Sequence, residues 1–148
     1  MVDDWLARVD TRHLRRGDHQ TVALVVWNPS ETVVDAVAVL HARFPIRLPL
    51  PPVAVFTPEG NVVPWRIVNS SLTPDAALGE KQWWEFDLEF FAAQIPARGW
   101  ASFAATYENV QVDDTFWQSA AAFPKLRAWE KPCQPGDLPA RGALPAIY

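Results

Sequence analysis

The stretch Gln82-Trp83-Trp84-Glu85-Phe86-Asp87-Leu88-Glu89-Phe90 alternates apolar and acidic side chains with a period of two. On an extended chain successive side chains point to opposite faces, so Trp84, Phe86, Leu88 and Phe90 share one face and Glu85, Asp87 and Glu89 the other. A helix would scatter both sets around its circumference. The pattern is that of an antiparallel strand with one face on a core and a solvated acidic face.

Segments to either side read in the same grammar. Thr21 to Trp27 is apolar at nearly every position, as expected of a strand covered on both faces. Asn28-Pro29-Ser30 then turns the chain. From Thr32 to Phe44, Val34, Ala36, Ala38, Leu40, Ala42 and Phe44 fall on one face, and Asp35, His41 and Arg43 on the other. Four prolines between Pro45 and Pro52 give an extended connection. Val53–Phe56 and Val62–Val68 flank Thr57-Pro58-Glu59-Gly60-Asn61, a hairpin signal, and Pro64 marks the second arm as an edge or a bulged strand. A polar loop is expected from Asn69 to Gly79. Gln94-Ile95-Pro96-Ala97-Arg98-Gly99 leads into a further strand, Trp100–Tyr107. At the start, Asp4 to Val9 suits a short helix, with Asp3 or Asp4 as N-cap and Trp5 and Val9 four apart.

About six or seven strands separated by turns predict an all-β fold, an antiparallel immunoglobulin-like β-sandwich with a short N-terminal helix and a Pro-rich C-terminal tail. The organisation expected is a helical, basic lead-in over residues 1–19 and a sandwich core over 20–109. An additional strand or helix packs on the sandwich over 110–131, and the tail occupies 132–148.

Composition bounds the function. A chain of 148 residues, 49% hydrophobic and 20% charged, is globular and long enough for one core. A net charge of −4 gives no electrostatic pull towards nucleic acid or an anionic membrane, so neither is expected as a partner. No apolar run reaches the about 18–20 residues of a membrane span, and Met1-Val2-Asp3-Asp4 has the wrong sign for a secretory signal. The expectation is a soluble, cytoplasmic chain. The single Cys133 excludes an internal disulfide.

Catalytic patterns are sparse. There is no G-x-S-x-G element, and Cys133 lies in the Pro-rich tail without an activating neighbour. His13, His19 and His41 lack the spacing of a metal pair, and no cysteine pair supports them. Glu85, Asp87 and Glu89 would project together towards a hard cation, but a charged outer face is what any half-exposed strand requires. Glu85, Glu89, Asp113 and Asp114 are carboxylates of the kind glycoside hydrolysis uses, with no spacing across a sugar set by the sequence. With 6 glycines there is no phosphate cradle. No catalytic residue, metal or cofactor is expected.

The eight tryptophans are the unusual feature. Trp27, Trp84 and either Trp100 or its neighbour Phe103 occupy positions read as inward. Trp65 follows Pro64, and Trp83 opposes the Trp84 face, so these two are the candidates for exposure. Flat aromatic faces suit sugar rings, and a ligand site would combine Trp65 and Trp83 with Arg66, Glu85 and Asp87. Asn69-Ser70-Ser71 fits an N-glycosylation acceptor and reads as part of the polar loop.

Three ordered fragments carry a family resemblance: Val25-Val26-Trp27-Asn28-Pro29, then Pro58-Glu59-Gly60-Asn61-Val62-Val63-Pro64, then Leu88 to Phe103 with its Pro96-Ala97-Arg98-Gly99-Trp100 connection. Over about Thr21 to Asn109 the chain resembles the β-sandwich region that follows the catalytic part of glycoside hydrolase family 38, the α-mannosidases. It departs from that pattern at Trp65-Arg66, where the family often shows a Gln, and beyond Asn109. The resemblance implies that the zinc ion and catalytic aspartates belong to a separate, larger domain, so no catalytic residue carries over. The function it implies is a non-catalytic accessory domain packing against a glycosidase catalytic domain or subunit. A free-standing carbohydrate-binding module that presents exposed Trp to an oligosaccharide, and an immunoglobulin-like protein-interaction domain, are the alternatives.

Overall fold

Residues 2–17, 21–45, 54–74, 82–106 and 114–143 are described by the computed structural model. They form a helix α1 (Val2–Arg8) and eight strands. These are β1 (Thr21–Asn28), β2 (Val34–Pro45), β3 (Ala54–Phe56), β4 (Trp65–Pro74), β5 (Gln82–Ile95), β6 (Gly99–Thr106), β7 (Lys125–Pro132) and β8 (Arg141–Ala143). The hydrogen-bonded order is β3-β6-β1-β7-β2-β5-β4, with β8 added beside β6.

β7 is the hinge of this arrangement. Its first half, Lys125–Arg127, pairs parallel with Val37–Val39 of β2. Its second half, Ala128–Pro132, pairs antiparallel with Val22–Val26 of β1. One strand therefore passes from one layer to the other, as corner strands do. The layers curl face to face. Phe90 of β5 meets Phe103 of β6 edge-on, with ring centroids 5.1 Å apart, although β1, β7 and β2 lie between them in the sheet. Leu24, Val26, Ala36, Ala38, Leu40, Phe86 and Leu88 complete this core. The all-β class stands. The expectation of a purely antiparallel sandwich is corrected: the sheet is mixed and continuous, because β2 and β7, far apart in sequence, have the long connection that a parallel pair requires.

β1 is covered on both faces, as its composition demands. Leu24 and Val26 face the core, whereas Val25 lies in a second cluster with Trp5, Val9 and Trp100. The Trp5 ring stacks on Trp100 at 5.4 Å and tilts against Trp27 at 5.1 Å. Trp27 thus packs half-buried on the side opposite Leu24, not in the main core. Trp5 of α1 and Val9 just past its end hold the lead-in here.

The described part of the Pro-rich tail, up to Ala143, is zipped to that lead-in. Leu138 donates its N–H to the Arg8 carbonyl at 2.9 Å and accepts from Asp10 N at 2.8 Å. The buried Lys131 ammonium donates to the carbonyls of Leu6 and Val9 at 2.9 and 2.7 Å, satisfying acceptors at and just past the end of α1. At Gly136 a Cβ would overlap the Arg8 carbonyl, so only glycine permits this approach.

The hairpin signal around Gly60 holds for a single bridge, Phe56 to Val62. At Pro64 the chain changes layer: β3 pairs with β6 and β4 with β5. β4 is an edge strand, as Pro64 suggested. The polar loop expected from Asn69 is corrected, because β4 continues to Pro74 opposite the first residues of the long β5. Polar side chains suit an edge, and a bulge between Val68 and Ser71 absorbs one extra residue.

Candidate site on the acidic face of the sheet

The three carboxylates of β5 have three different surroundings. Their common direction follows from the period of two, since Phe86, Leu88 and Phe90 fill the core on the other face. What each meets depends on its cross-strand neighbours.

Glu89 is 3% exposed, which corrects the expectation of a wholly solvated face. Arg66 Nε donates to Glu89 Oε1 at 2.7 Å and Lys125 Nζ to Oε2 at 3.2 Å. The Arg66 guanidinium in turn lies 4.2 Å from the ring centre of Trp117, in the 3-10 turn Asp114–Gln118. Phe91, next along the same face, packs against Phe116 and Phe123 at 4.7 and 5.2 Å. The segment after β6 therefore roofs this end of the acidic stripe, and a carboxylate so covered needs its two cations.

Asp87 lies towards the open end. Its Oδ2 accepts from Asn69 Nδ2 at 2.9 Å, and its Oδ1 is engaged by His41 Nδ1. The Asn69 hydrogen bond holds the Asp87 carboxyl below its ordinary range, and the His41 contact adds to it against the opposing effect of burial. Asn69 reaches it because it occupies the β4 bulge with φ 56°, a left-handed conformation that Asn tolerates better than most residues. His41 comes from the directly opposite position on β2, and its side chain is 78% exposed. Together with Glu85 and Ser71 these residues line an open groove of about 400 Å³. Among the described residues, no group of three or more His, Cys, Asp and Glu side chains is disposed to hold a metal ion.

The structure brings two of the five sequence candidates into this groove, Glu85 and Asp87. Arg66 is directed to Glu89 instead. Trp65 is half-buried against the core, with its indole nitrogen enclosed. The side chain of Trp83 lies outside the described residues. His41, Asn69 and Ser71 were not singled out as site residues from sequence. His41 was visible on the polar face of its strand, with Asp35 and Arg43; Asn69 needed the bulge.

A smaller cleft of about 190 Å³ lies between the basic lead-in and the Thr57–Gly60 turn, where the Arg16 guanidinium sits 3.6 Å over Phe56. Cys133, half-buried beside the Thr21 carbonyl, has its thiol pKa raised by burial.

No family model and no curated protein matches the sequence. Solved structures do share its fold. A protein of glycosyl hydrolase family 38 from Enterococcus faecalis superposes with a TM-score of 0.54 at 16% identity, over 76% of this chain and 15% of that one. An alpha-mannosidase from Enterococcus faecalis V583 gives 0.50 at 17% identity, again over 76% and 15%. The fold is that of a small part of these enzymes. The first of these structures bears the name of the family that the three sequence fragments resemble, and this chain spans about 15% of the length of each. No helix among the described residues is long and apolar enough to cross a membrane.

Proposed function

We propose that this chain is a non-catalytic β domain of the glycosyl hydrolase family 38 type, whose role is to pack against a catalytic domain or subunit. The observation that carries this reading is the asymmetry of coverage: about three quarters of this chain matches a fold occupying 15% of a much longer enzyme. The resemblance of the sequence assigns the zinc ion and the catalytic aspartates to a different, larger domain. Fold likeness by itself does not transfer an activity.

The purified chain incubated with an aryl α-mannoside, with and without added zinc, is expected to give no turnover. Zinc-dependent turnover that survives repurification would overturn the proposal. Its second half is tested with the family 38 catalytic polypeptide encoded in the same genome, in frame with this chain or separately. Co-elution in gel filtration, or a single reading frame joining the two, is the expected result. A genome that encodes no such polypeptide would remove the partner.

A further inference from the structure

We propose that the groove between β2 and β4 is a binding site for a saccharide, held through adjacent hydroxyl groups. The hydrogen-bonding groups of its walls point to this ligand independently of the accessory-domain reading.

Five polar side chains converge there from three strands: His41 from β2, Asn69 and Ser71 from β4, and Glu85 and Asp87 from β5. An ionised carboxylate only accepts hydrogen bonds, whereas amide and hydroxyl groups both donate and accept. His41 faces Asp87 through Nδ1, which places the ring proton there and leaves Nε2 as an acceptor in the neutral ring. One of the two Nδ2 hydrogens of Asn69 is committed to Asp87. The other, with Oδ1 and the Ser71 hydroxyl, completes a mixed set of donors and acceptors on one small surface.

Three ligand classes fit this set poorly. An anion would meet Glu85 and Asp87. An apolar ligand would strip water from charged walls without replacing its hydrogen bonds. A simple cation would compete with the hydrogen bonds already made to both Asp87 oxygens and would meet the Asn69 and Ser71 donors. A pair of neighbouring sugar hydroxyls fits, because each both donates and accepts: donation to a carboxylate or to Nε2 and acceptance from amide or hydroxyl are met together. The groove is open and supplies few contacts, so the expected Kd is about millimolar.

The test is a titration of the full ¹⁵N-labelled chain with methyl α-mannoside and with the corresponding glucoside and galactoside, read by amide chemical shifts. At least one glycoside is expected to give saturable shifts centred on His41, Asn69, Ser71 and Asp87. Asp87→Asn is expected to weaken that binding about tenfold through loss of a charge-assisted hydrogen bond. Asn69→Gly provides a second variant, since glycine adopts the positive φ of the bulge without strain and removes only the amide. It is expected to weaken binding while leaving the rest of the spectrum in place. Absence of shifts with all three glycosides would overturn the inference. So would shifts that survive both substitutions, or saturation by tetralysine or Ca²⁺ in preference to the sugars, which would make the groove a cation site. None of these outcomes alters the expected result with the aryl mannoside.

Discussion

The side-chain amide of Asn28, at the end of β1, donates to the carbonyl of Pro96, in the turn between β5 and β6, at 3.0 Å. The same nitrogen lies 3.1 Å from the Ile95 carbonyl and 2.9 Å from that of Thr32, and its Oδ1 accepts from Ser30 N and Oγ at 2.9 and 2.8 Å. Asn28 is 1% exposed. The Asn-Pro dipeptide that carried part of the family resemblance is thus a buried clasp between two turns, with structural rather than chemical work to perform.

Asn28→Ala leaves carbonyls of two turns without their donor, and is expected to lower stability by about 2–3 kcal/mol. Asn28→Asp is expected to cost at least as much, because a carboxylate cannot donate to those carbonyls and brings a charge into a buried site. Urea denaturation of the two variants beside the wild type checks both. A loss under about 0.5 kcal/mol for Asn28→Ala would show that water replaces the clasp.

Lys131 tests the zip between the two terminal segments. It is 6% exposed, and burial lowers its pKa. Lys131→Met keeps much of the apolar stem but removes the donors to Leu6 and Val9, at an expected cost of about 1–3 kcal/mol. Hydrogen exchange is the decisive readout. Asp10 and Thr11, whose amides bond to Leu138 and Gln134, should lose protection while β5 and β6 keep theirs, as in a local opening.

Asp10 predicts an acid limb. Side-chain and backbone hydrogen bonds with Arg12 lower its pKa from 3.8 to about 2. Between those values the unfolded chain binds a proton that the folded one does not, so stability rises with pH across the window. The contribution is fully present above about pH 4 and is lost as pH falls towards 2. Asp10→Asn should flatten this part of a plot of melting temperature against pH, and above pH 5 it should lower the curve by a constant amount without changing its slope. Equal slopes in wild type and variant would refute the assignment.

Cys133 should behave as a sheltered thiol. With its pKa raised by burial, it carries less thiolate at neutral pH than a free cysteine. Reaction with a disulfide reagent is expected to be at least about tenfold slower in the native chain than in 6 M guanidinium. Equal rates would mean that the segment around Gln134 opens freely.

Legibility in the sequence tracked how local each cause was. Strands β1, β2, β5 and β6 could be read because alternation, or unbroken apolar character, is a property of consecutive residues. The two-sided cover of β1 followed from the same fact. β7 could be anticipated only as a strand or helix somewhere in 110–131, since Lys-Leu-Arg-Ala-Trp-Glu-Lys-Pro shows only Ala128 and Lys131 buried and its alternation is blurred. Its place is set by two partners more than eighty residues away in β2 and β1.

The site divides along the same line. Glu85 and Asp87 stood on a common face by periodicity alone. That Glu89 is buried, that Asn69 turns back onto Asp87, and that His41 stands opposite both depend on the strand register, the bulge in β4 and the roof laid by the 114–123 segment. Periodicity assigns a side chain to a face because the backbone repeat is intrinsic to the strand. Which residues share that face across strands is decided by hydrogen-bond register and packing between distant segments, and those energies exist only once the chain has folded.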